Sequence, residues 1–223
     1  MIPKATLFRF CSYDFDAKIG KITFDYRVEF SNRDPLDFTE TVILPKFPKN
    51  IKQESICKIL ESLLIILGIS YYKLYCPPRF AIPFKLSKEQ VDFWNTVYKK
   101  GLGEFLYKNR LNPKRLAKFS YSNAKVYPER IKTQERVLLG IGGGKDSIVA
   151  AELLKDYETT SFLLETQNKD TVTERVIDAI GNPFLKIKRI LDPKIFEKHE
   201  GSYNGHIPIS AIIAFVGLLS AAV

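Results

Sequence analysis

A glycine-rich turn between an apolar segment and a helical segment restricts the fold of this chain more than any other feature. The turn Ile141-Gly-Gly-Gly-Lys-Asp-Ser147 follows a short apolar run over residues 137–141, and helical spacing continues to residue 155. Backbone N–H groups and the positive end of the helix dipole meet at such a point, and glycines let an anion come close to the backbone. The pattern therefore predicts that phosphate binds at Gly142, Gly143 and Gly144.

The three residues after the glycines carry the polar groups that a nucleotide phosphate site needs. Lys145 supplies a positive charge, Asp146 a carboxylate that suits Mg²⁺ beside phosphates, and Ser147 a hydroxyl donor. A glycine turn that served only to reverse the chain would not require this Lys-Asp-Ser sequence. We therefore expect a phosphate group and Mg²⁺ as ligands, with Asp146 as a metal ligand and catalytic residue.

Two better-known glycine loops are excluded by their spacing. A Walker loop needs a glycine five residues before Gly144, and the dinucleotide fingerprint needs a third glycine where Lys145 stands. The remaining pattern resembles the Ser-Gly-Gly-x-Asp-Ser loop of the PP-loop ATP pyrophosphatases, with Gly142 in place of the first serine. This resemblance implies cleavage of ATP between its α- and β-phosphates.

The C-terminal part of the chain alternates strands and helices. The predicted strands cover residues 137–141, 160–164 and 184–190, with helices over 145–155 and from Thr171 onward. Strands joined by helical crossovers run parallel, and parallel sheets bind ligands beyond the carboxyl ends of their strands. Three strands make a poor open sheet, so we expect this domain to be truncated and the natural chain to be longer.

The N-terminal part predicts a small antiparallel sheet followed by two helices. Residues 21–30 alternate apolar and polar side chains, and residues 38–44 form a returning strand. Helical spacing covers residues 53–67, with Gly68 as the stop, and then residues 87–107. The second helix begins with a capping box at Ser87 and Gln90 and is expected to break at Gly101 and Gly103.

A polar, basic connector over residues 112–130 divides these two parts. We predict an α/β protein with two domains. Residues 1–130 form an N-terminal α+β accessory or substrate domain, and residues 131–223 form an incomplete PP-loop (HUP-like) parallel-sheet domain.

Charge and cysteine content narrow the class of protein. The net charge of +9 fits nucleic acid or a polyanionic small substrate equally well, and we expect the small substrate rather than nucleic acid. Cys11, Cys57 and Cys76 are widely spaced and odd in number, which disfavours a disulfide framework and a zinc site. Residues 1–10 lack the features of a secretory signal, so a cytoplasmic location is expected.

The last 17 residues, 207–223, are uncharged and reach the lower length limit for a membrane span of about 17–25 residues. We expect a buried helix rather than a membrane span, because a parallel sheet needs apolar cover on both faces.

Six stretches of sequence occur in an informative order. They are Phe38-Thr-Glu40, Gly68-Ile-Ser-Tyr-Tyr-Lys73 with Pro77-Pro78, Gly101-Leu-Gly-Glu-Phe105, the loop at Gly142, Arg189-Ile-Leu-Asp-Pro193 and Asn204-Gly-His-Ile-Pro208. Together they resemble the UDP-N-acetyl-alpha-D-muramoyl-L-alanyl-L-glutamate epimerase family of bacterial cell-wall synthesis, from about Phe8 to Val223. This chain is shorter than we expect of a whole family member.

The resemblance implies inversion of the terminal L-glutamate of a UDP-linked muramoyl dipeptide to D-glutamate, with consumption of ATP and Mg²⁺. A physical reason supports the need for ATP. The α-proton beside a free carboxylate is very weakly acidic, whereas a mixed anhydride with AMP delocalises the developing enolate. A base then removes the proton, the other face is reprotonated, and hydrolysis restores the carboxylate.

Few residues can serve as acid, base or substrate contacts in this reaction. His206 lies in a turn before the last helix and suits proton transfer, although a histidine bonded to backbone would look the same. The candidate substrate contacts are Tyr72, Lys73, Glu104, Arg189 and Asn204. As structural alternatives, Tyr72 would be a buried aromatic residue and Lys73 a solvated lysine, and Glu104 and Arg189 would lie at the surface or in salt bridges.

Two other classes of function remain open from the sequence. One is another PP-loop adenylating enzyme, such as a tRNA-modifying enzyme or an amide-forming ligase, although the lack of a CxxC pair weakens the thiolating version. The other is an inactive nucleotide-binding or membrane-associated module.

Overall fold

The structure is a computed structural model that describes residues 2–45, 56–122, 134–166 and 171–223. Its strands are β1 (Ala5–Asp16), β2 (Lys21–Phe30), β3 (Leu36–Ile43), β4 (Phe80–Ala81), β5 (Val137–Gly140), β6 (Thr159–Glu165) and β7 (Phe184–Ile190). Its α-helices are α1 (Cys57–Tyr72), α2 (Lys88–Gly101), α3 (Gly103–Lys108), α4 (Lys145–Leu153), α5 (Thr171–Ile180) and α6 (Ile209–Ala222).

The strands form one mixed sheet of seven strands in the order β4-β1-β2-β3-β7-β6-β5. The antiparallel β1-β2-β3 meander confirms the N-terminal prediction. The alternating apolar side chains of β2 face the core as expected, with only the last of them half-buried: Ile22, Phe24, Tyr26, Val28 and Phe30.

Helix α1 packs directly on this meander, and it corrects one prediction. Gly68 does not end the helix, which continues to Tyr72. An added Cβ at Gly68 would lie 2.7 Å from Cε1 of Phe10 and 2.8 Å from Cε1 of Tyr26. Gly68 therefore allows close contact between helix and sheet. Residues 53–55 of the predicted helix lie outside the described residues.

The second predicted helix is broken as expected. The Oγ of Ser87 accepts from the Gln90 N–H at 3.3 Å, and the Gln90 side chain accepts from the Ser87 N–H at 2.9 Å, which confirms the capping box. Helix α2 ends at Gly101 and α3 begins at Gly103. An added Cβ at Gly101 would lie 2.7 Å from Cβ of Pro208, so the end of α2 touches the residue before α6.

Strands β5, β6 and β7 are parallel, as predicted from their helical crossovers. They do not form a separate three-stranded sheet, however, because β7 pairs antiparallel with β3 through Val42 and Arg189. The N-terminal and C-terminal parts of the chain therefore share one sheet. The division of the chain at residue 130 stays a prediction, and residues 123–133 lie outside the described residues.

Helix α6 covers part of the parallel strands and packs against α1. Ile212, Val216 and Leu219 are buried, whereas Leu218 is exposed, so the predicted buried helix is confirmed on one face only. In the described parts of the chain, no helix combines the length and apolar character needed to cross a membrane.

The close packing at Gly68 generates a stability prediction. Gly68→Ala should lower the free energy of unfolding by about 1–3 kcal/mol, because the methyl group has no room between Phe10 and Tyr26. Gly103→Ala is the matched control, since an added Cβ there meets no atom within 4 Å. It should leave stability unchanged or raise it by up to about 1 kcal/mol. Urea denaturation measures both, and equal effects would contradict the packing role of Gly68.

Candidate functional site

The glycine loop, Gly142–Gly144, joins the carboxyl end of β5 to the first turn of α4. Gly144 is the N-terminal cap residue of α4, and no side chain accepts a hydrogen bond at this cap. The first N–H groups of the helix are therefore not covered by a capping side chain. This is the strand-to-helix position that the sequence predicted for a phosphate site.

The three glycines differ in the reason why glycine stands there. Gly143 has a φ of +73°, and an added Cβ would lie 2.4 Å from Oγ1 of Thr173 on α5, so the fold itself requires glycine. Gly142 and Gly144 have no positive φ, and an added Cβ at either meets no atom within 4 Å. Nothing within the described fold requires glycine at these two positions, whereas a ligand that approaches the backbone would.

The three polar residues that follow are in place at the start of α4. Lys145 and Asp146 are exposed in its first turn. The hydroxyl of Ser147, predicted as a phosphate donor, instead donates to the Gly144 carbonyl at 2.7 Å. Lys145 and Asp146 are therefore the accessible charged groups beside the glycine loop.

Arg189 is a buried residue, which favours its salt-bridged alternative over contact with substrate. Its guanidinium donates to both carboxylate oxygens of Glu40, at 2.7 and 3.2 Å, and to Oγ of Ser70 at 2.8 Å. The side chains of Arg189 and Glu40 are only 2% and 0% exposed. Burial disfavours the charged guanidinium, but the Glu40 carboxylate keeps the pKa of Arg189 raised.

Two neighbours extend this buried network. The hydroxyl of Tyr71 bonds to Glu40 and accepts from the Asp192 N–H at 3.1 Å. The carboxylate of Asp192 accepts from the Thr39 N–H at 2.9 Å. The network thus ties α1, β3 and the segment after β7 together.

Tyr72 is also a core residue, which favours its structural alternative over contact with substrate. Its side chain is fully buried against Phe8, Phe80 and Tyr98. The hydroxyl accepts from the Ala117 N–H at 3.0 Å. Burial raises the pKa of Tyr72, so the phenol stays protonated.

Lys73, by contrast, reaches the turn that carries His206. Its Nζ donates to the Gly205 carbonyl at 2.6 Å. The pKa of Lys73 is lowered, first by burial and then by the nearby charge of Arg189. Lys73 is therefore a half-buried cation that fixes a turn, and not the solvated lysine that the sequence offered as its structural alternative.

Asn204, Glu104 and His206 meet at the same turn. The Asn204 carbonyl accepts from Nδ2 of Asn109 at 2.9 Å, and its side chain accepts from the Gly205 N–H at 2.8 Å. Nδ1 of His206 lies 3.0 Å from Oε2 of Glu104. Four of the predicted site residues are thus brought together: Lys73, Glu104, Asn204 and His206.

Helix α6 connects this turn with the glycine loop. It begins three residues after His206, and an added Cβ at Gly140 would lie 3.5 Å from Cγ2 of Ile213. Gly140 is the last residue of β5, directly before the loop. Sequence reasoning gave Asn109 and Thr173 no place at this site, because both act through contacts between distant segments.

Comparisons with known proteins identify the family of this chain. A family model described as the MurL N-terminal domain matches residues 2–223. The chain belongs to the MurL N-terminal domain family. No solved structure matches it.

Three relatives carry the name UDP-N-acetyl-alpha-D-muramoyl-L-alanyl-L-glutamate epimerase. The protein of Salinispora tropica is 36% identical over 95% of this chain and 47% of its own length. Those of Micromonospora sp. and Xanthomonas oryzae pv. oryzae are each 32% identical over 96% of this chain, and 49% and 48% of their own lengths. The chain therefore spans about half the length of the curated relatives it matches.

Breaking the buried Arg189–Glu40 pair of this MurL N-terminal domain should cause a large loss of stability. Arg189→Ala should lower the free energy of unfolding by about 3–5 kcal/mol, because the Glu40 carboxylate is left buried without its partner. Arg9→Ala is the control, since the Arg9–Glu29 pair is partly exposed and should contribute at most about 1 kcal/mol. Denaturant titrations measure the free energy of unfolding of both variants. An equally small loss in Arg189→Ala and Arg9→Ala would refute a structural role for Arg189.

A second stability prediction compares alanine variants at the three glycines of the loop. Gly143→Ala should destabilise the protein, because its φ is strained for alanine and Thr173 blocks the methyl group. Gly142→Ala should leave the melting temperature unchanged, since the added methyl group meets no atom. Gly144→Ala should lower it only slightly, because alanine is a poorer N-cap residue than glycine but its methyl group has room. Thermal unfolding of the three variants checks this, and an equal loss in all three would contradict the distinction.

Proposed function

We propose that this protein epimerises the terminal L-glutamate of UDP-N-acetylmuramoyl-L-alanyl-L-glutamate to D-glutamate, with consumption of ATP and Mg²⁺. The observation that carries the proposal is the shared name of three relatives, each aligned over at least 95% of this chain. Such a reaction belongs to peptidoglycan synthesis, for which a cytoplasmic location is expected.

The proposed role of ATP is to make the α-proton removable. A carboxylate oxygen of the glutamate attacks the α-phosphorus of ATP and releases pyrophosphate. The acyl-adenylate carries no negative charge at the acyl group, so the electron pair of the broken C–H bond can delocalise onto the carbonyl oxygen. Protonation on the opposite face and attack by water then give the D-carboxylate and AMP.

The glycine loop supports this use of ATP. Its uncapped helix start and exposed Lys145 suit the leaving pyrophosphate, because oriented N–H groups and a positive charge both stabilise it. The glycines at 142 and 144, which the described fold does not require, are explained by close approach of phosphate oxygens.

The residues beside the loop also fit Mg²⁺. Among the described residues, no group of three or more His, Cys, Asp or Glu side chains could hold a metal ion alone. Mg²⁺ beside a nucleotide needs only one or two carboxylates, because phosphates and water complete its coordination. Asp146 would supply that carboxylate, and the ion would neutralise charge on the phosphates.

The direct test is the reaction in deuterated water, with protein produced from its complete gene, ATP, Mg²⁺ and the UDP-muramoyl dipeptide. We expect AMP, pyrophosphate and D-glutamate with deuterium at Cα, measured by chiral chromatography and mass spectrometry. ADP and phosphate as the only nucleotide products would reject the proposed ATP chemistry. AMP formation with unchanged L-glutamate would instead favour another adenylating enzyme.

Variants of the loop sharpen the same test. Asp146→Ala should abolish turnover, whereas Lys145→Ala should weaken ATP binding by about 1.5–3 kcal/mol, or roughly 10- to 150-fold. Lys155→Ala is the control, because Lys155 lies just beyond the other end of α4 and pairs with Glu152. Wild-type kinetics of folded Lys145→Ala and Asp146→Ala proteins would exclude the loop as the ATP site.

A further inference from the structure

The two histidines of the chain have opposite surroundings. Nε2 of His199 lies 2.7 Å from the Lys194 carbonyl oxygen, to which it must donate, because a carbonyl only accepts. Nδ1 of His206 faces the Glu104 carboxylate at 3.0 Å, while 77% of its side chain is exposed. His199 thus serves a backbone contact, whereas His206 keeps most of its ring accessible.

The Glu104 carboxylate determines which nitrogen of His206 is available. Nζ of Lys108 lies 2.5 Å from Oε1 of Glu104. The hydrogen bonds from Lys108 and His206 lower the pKa of Glu104, so this carboxylate is ionised and can only accept. Nδ1 of His206 therefore carries the proton, and in the neutral ring the lone pair is on Nε2.

The backbone that presents His206 is held from two helices. Lys73 at the end of α1 binds the Gly205 carbonyl, and Asn109 at the end of α3 binds the Asn204 carbonyl. These contacts fix the two residues directly before His206. The charged groups around the turn are Glu104 and Lys108 from α3 and Lys73 from α1.

Gly205 completes this arrangement. Its φ of +151° favours glycine, and an added Cβ would lie 3.0 Å from Cδ2 of Phe105, the neighbour of Glu104. The helix that carries Glu104 and the turn that carries His206 are therefore in direct contact. These contacts restrict the backbone that carries His206. A functional side chain needs such restriction because its orientation matters, whereas an ordinary surface histidine does not.

We infer that Glu104 is a positioning residue that orients His206 so that its Nε2 removes the α-proton of the activated glutamate. This inference rests on the proposed function. The α-proton moves to Nε2, and the electron pair of the C–H bond moves into the enolate. The imidazolium that forms is stabilised by Glu104 and releases its proton to solvent, while a solvent proton adds to the opposite face.

The first test does not depend on activity. ¹⁵N NMR of histidine-labelled protein, assigned with His199→Gln and His206→Gln variants, should show the Nδ1–H tautomer for neutral His206 and the Nε2–H tautomer for His199. Glu104→Ala should move His206 towards the Nε2–H form that free histidine prefers, whereas Tyr107→Ala, at an exposed position on the same helix, should not. An unchanged His206 tautomer in Glu104→Ala would overturn the positioning role.

The second test measures catalysis with the dipeptide substrate. His206→Gln should lower epimerisation and deuterium uptake about 100-fold or more, and Glu104→Ala about tenfold or more, with the KM for ATP unchanged. Glu104→Asp should restore part of the rate, and Tyr107→Ala, an exposed position on the same helix, is the control. D-Glutamate formation at the wild-type rate by His206→Gln would overturn the inference but not the proposed function. If the wild-type protein forms no D-glutamate, the proposed function and the proton-transfer role of His206 are both refuted. The ¹⁵N NMR measurement of the His206 tautomer would then still test whether Glu104 positions His206.

Discussion

The bidentate contact between Arg189 and Glu40 joins the antiparallel and parallel parts of one sheet. It lies where β7 pairs with β3, and Ser70 of α1 accepts a third hydrogen bond from Arg189. Burial of two charges is costly, and only good geometry with further hydrogen bonds offsets that cost. Tyr71 supplies one such bond to Glu40, so the network holds a strand from each part of the chain and the helix that covers them.

The same end of α1 links this buried network to the turn that carries His206. Ser70 and Tyr71 bind the network, and Lys73, in the same helical turn, binds the Gly205 carbonyl. The pKa of Lys73 is lowered by burial and by the charge of Arg189, so the two places are also coupled electrostatically. The position of His206 therefore depends on the junction of the sheet, although Arg189 itself is inaccessible to a substrate.

Glycine has two different physical roles around the candidate site. At Gly143 and Gly68, neighbouring side chains leave no room for a methyl group, so glycine is a requirement of packing. At Gly142 and Gly144, an added Cβ would meet no neighbouring atom, so a phosphate has room to contact the backbone there. A sequence motif alone does not separate these roles, because both appear as conspicuous glycines next to a helix.

The sequence by itself determined the features that depend on neighbouring residues: the alternation of β2, the capping box at Ser87, and the turn from β5 into α4 at Gly142–Gly144. Only the tertiary structure decided that Arg189 pairs with Glu40 across 149 positions and that His206 pairs with Glu104 across 102. Periodicity and caps report interactions within a few residues, whereas these pairs form because β3 meets β7 and because α3 packs against the turn before α6.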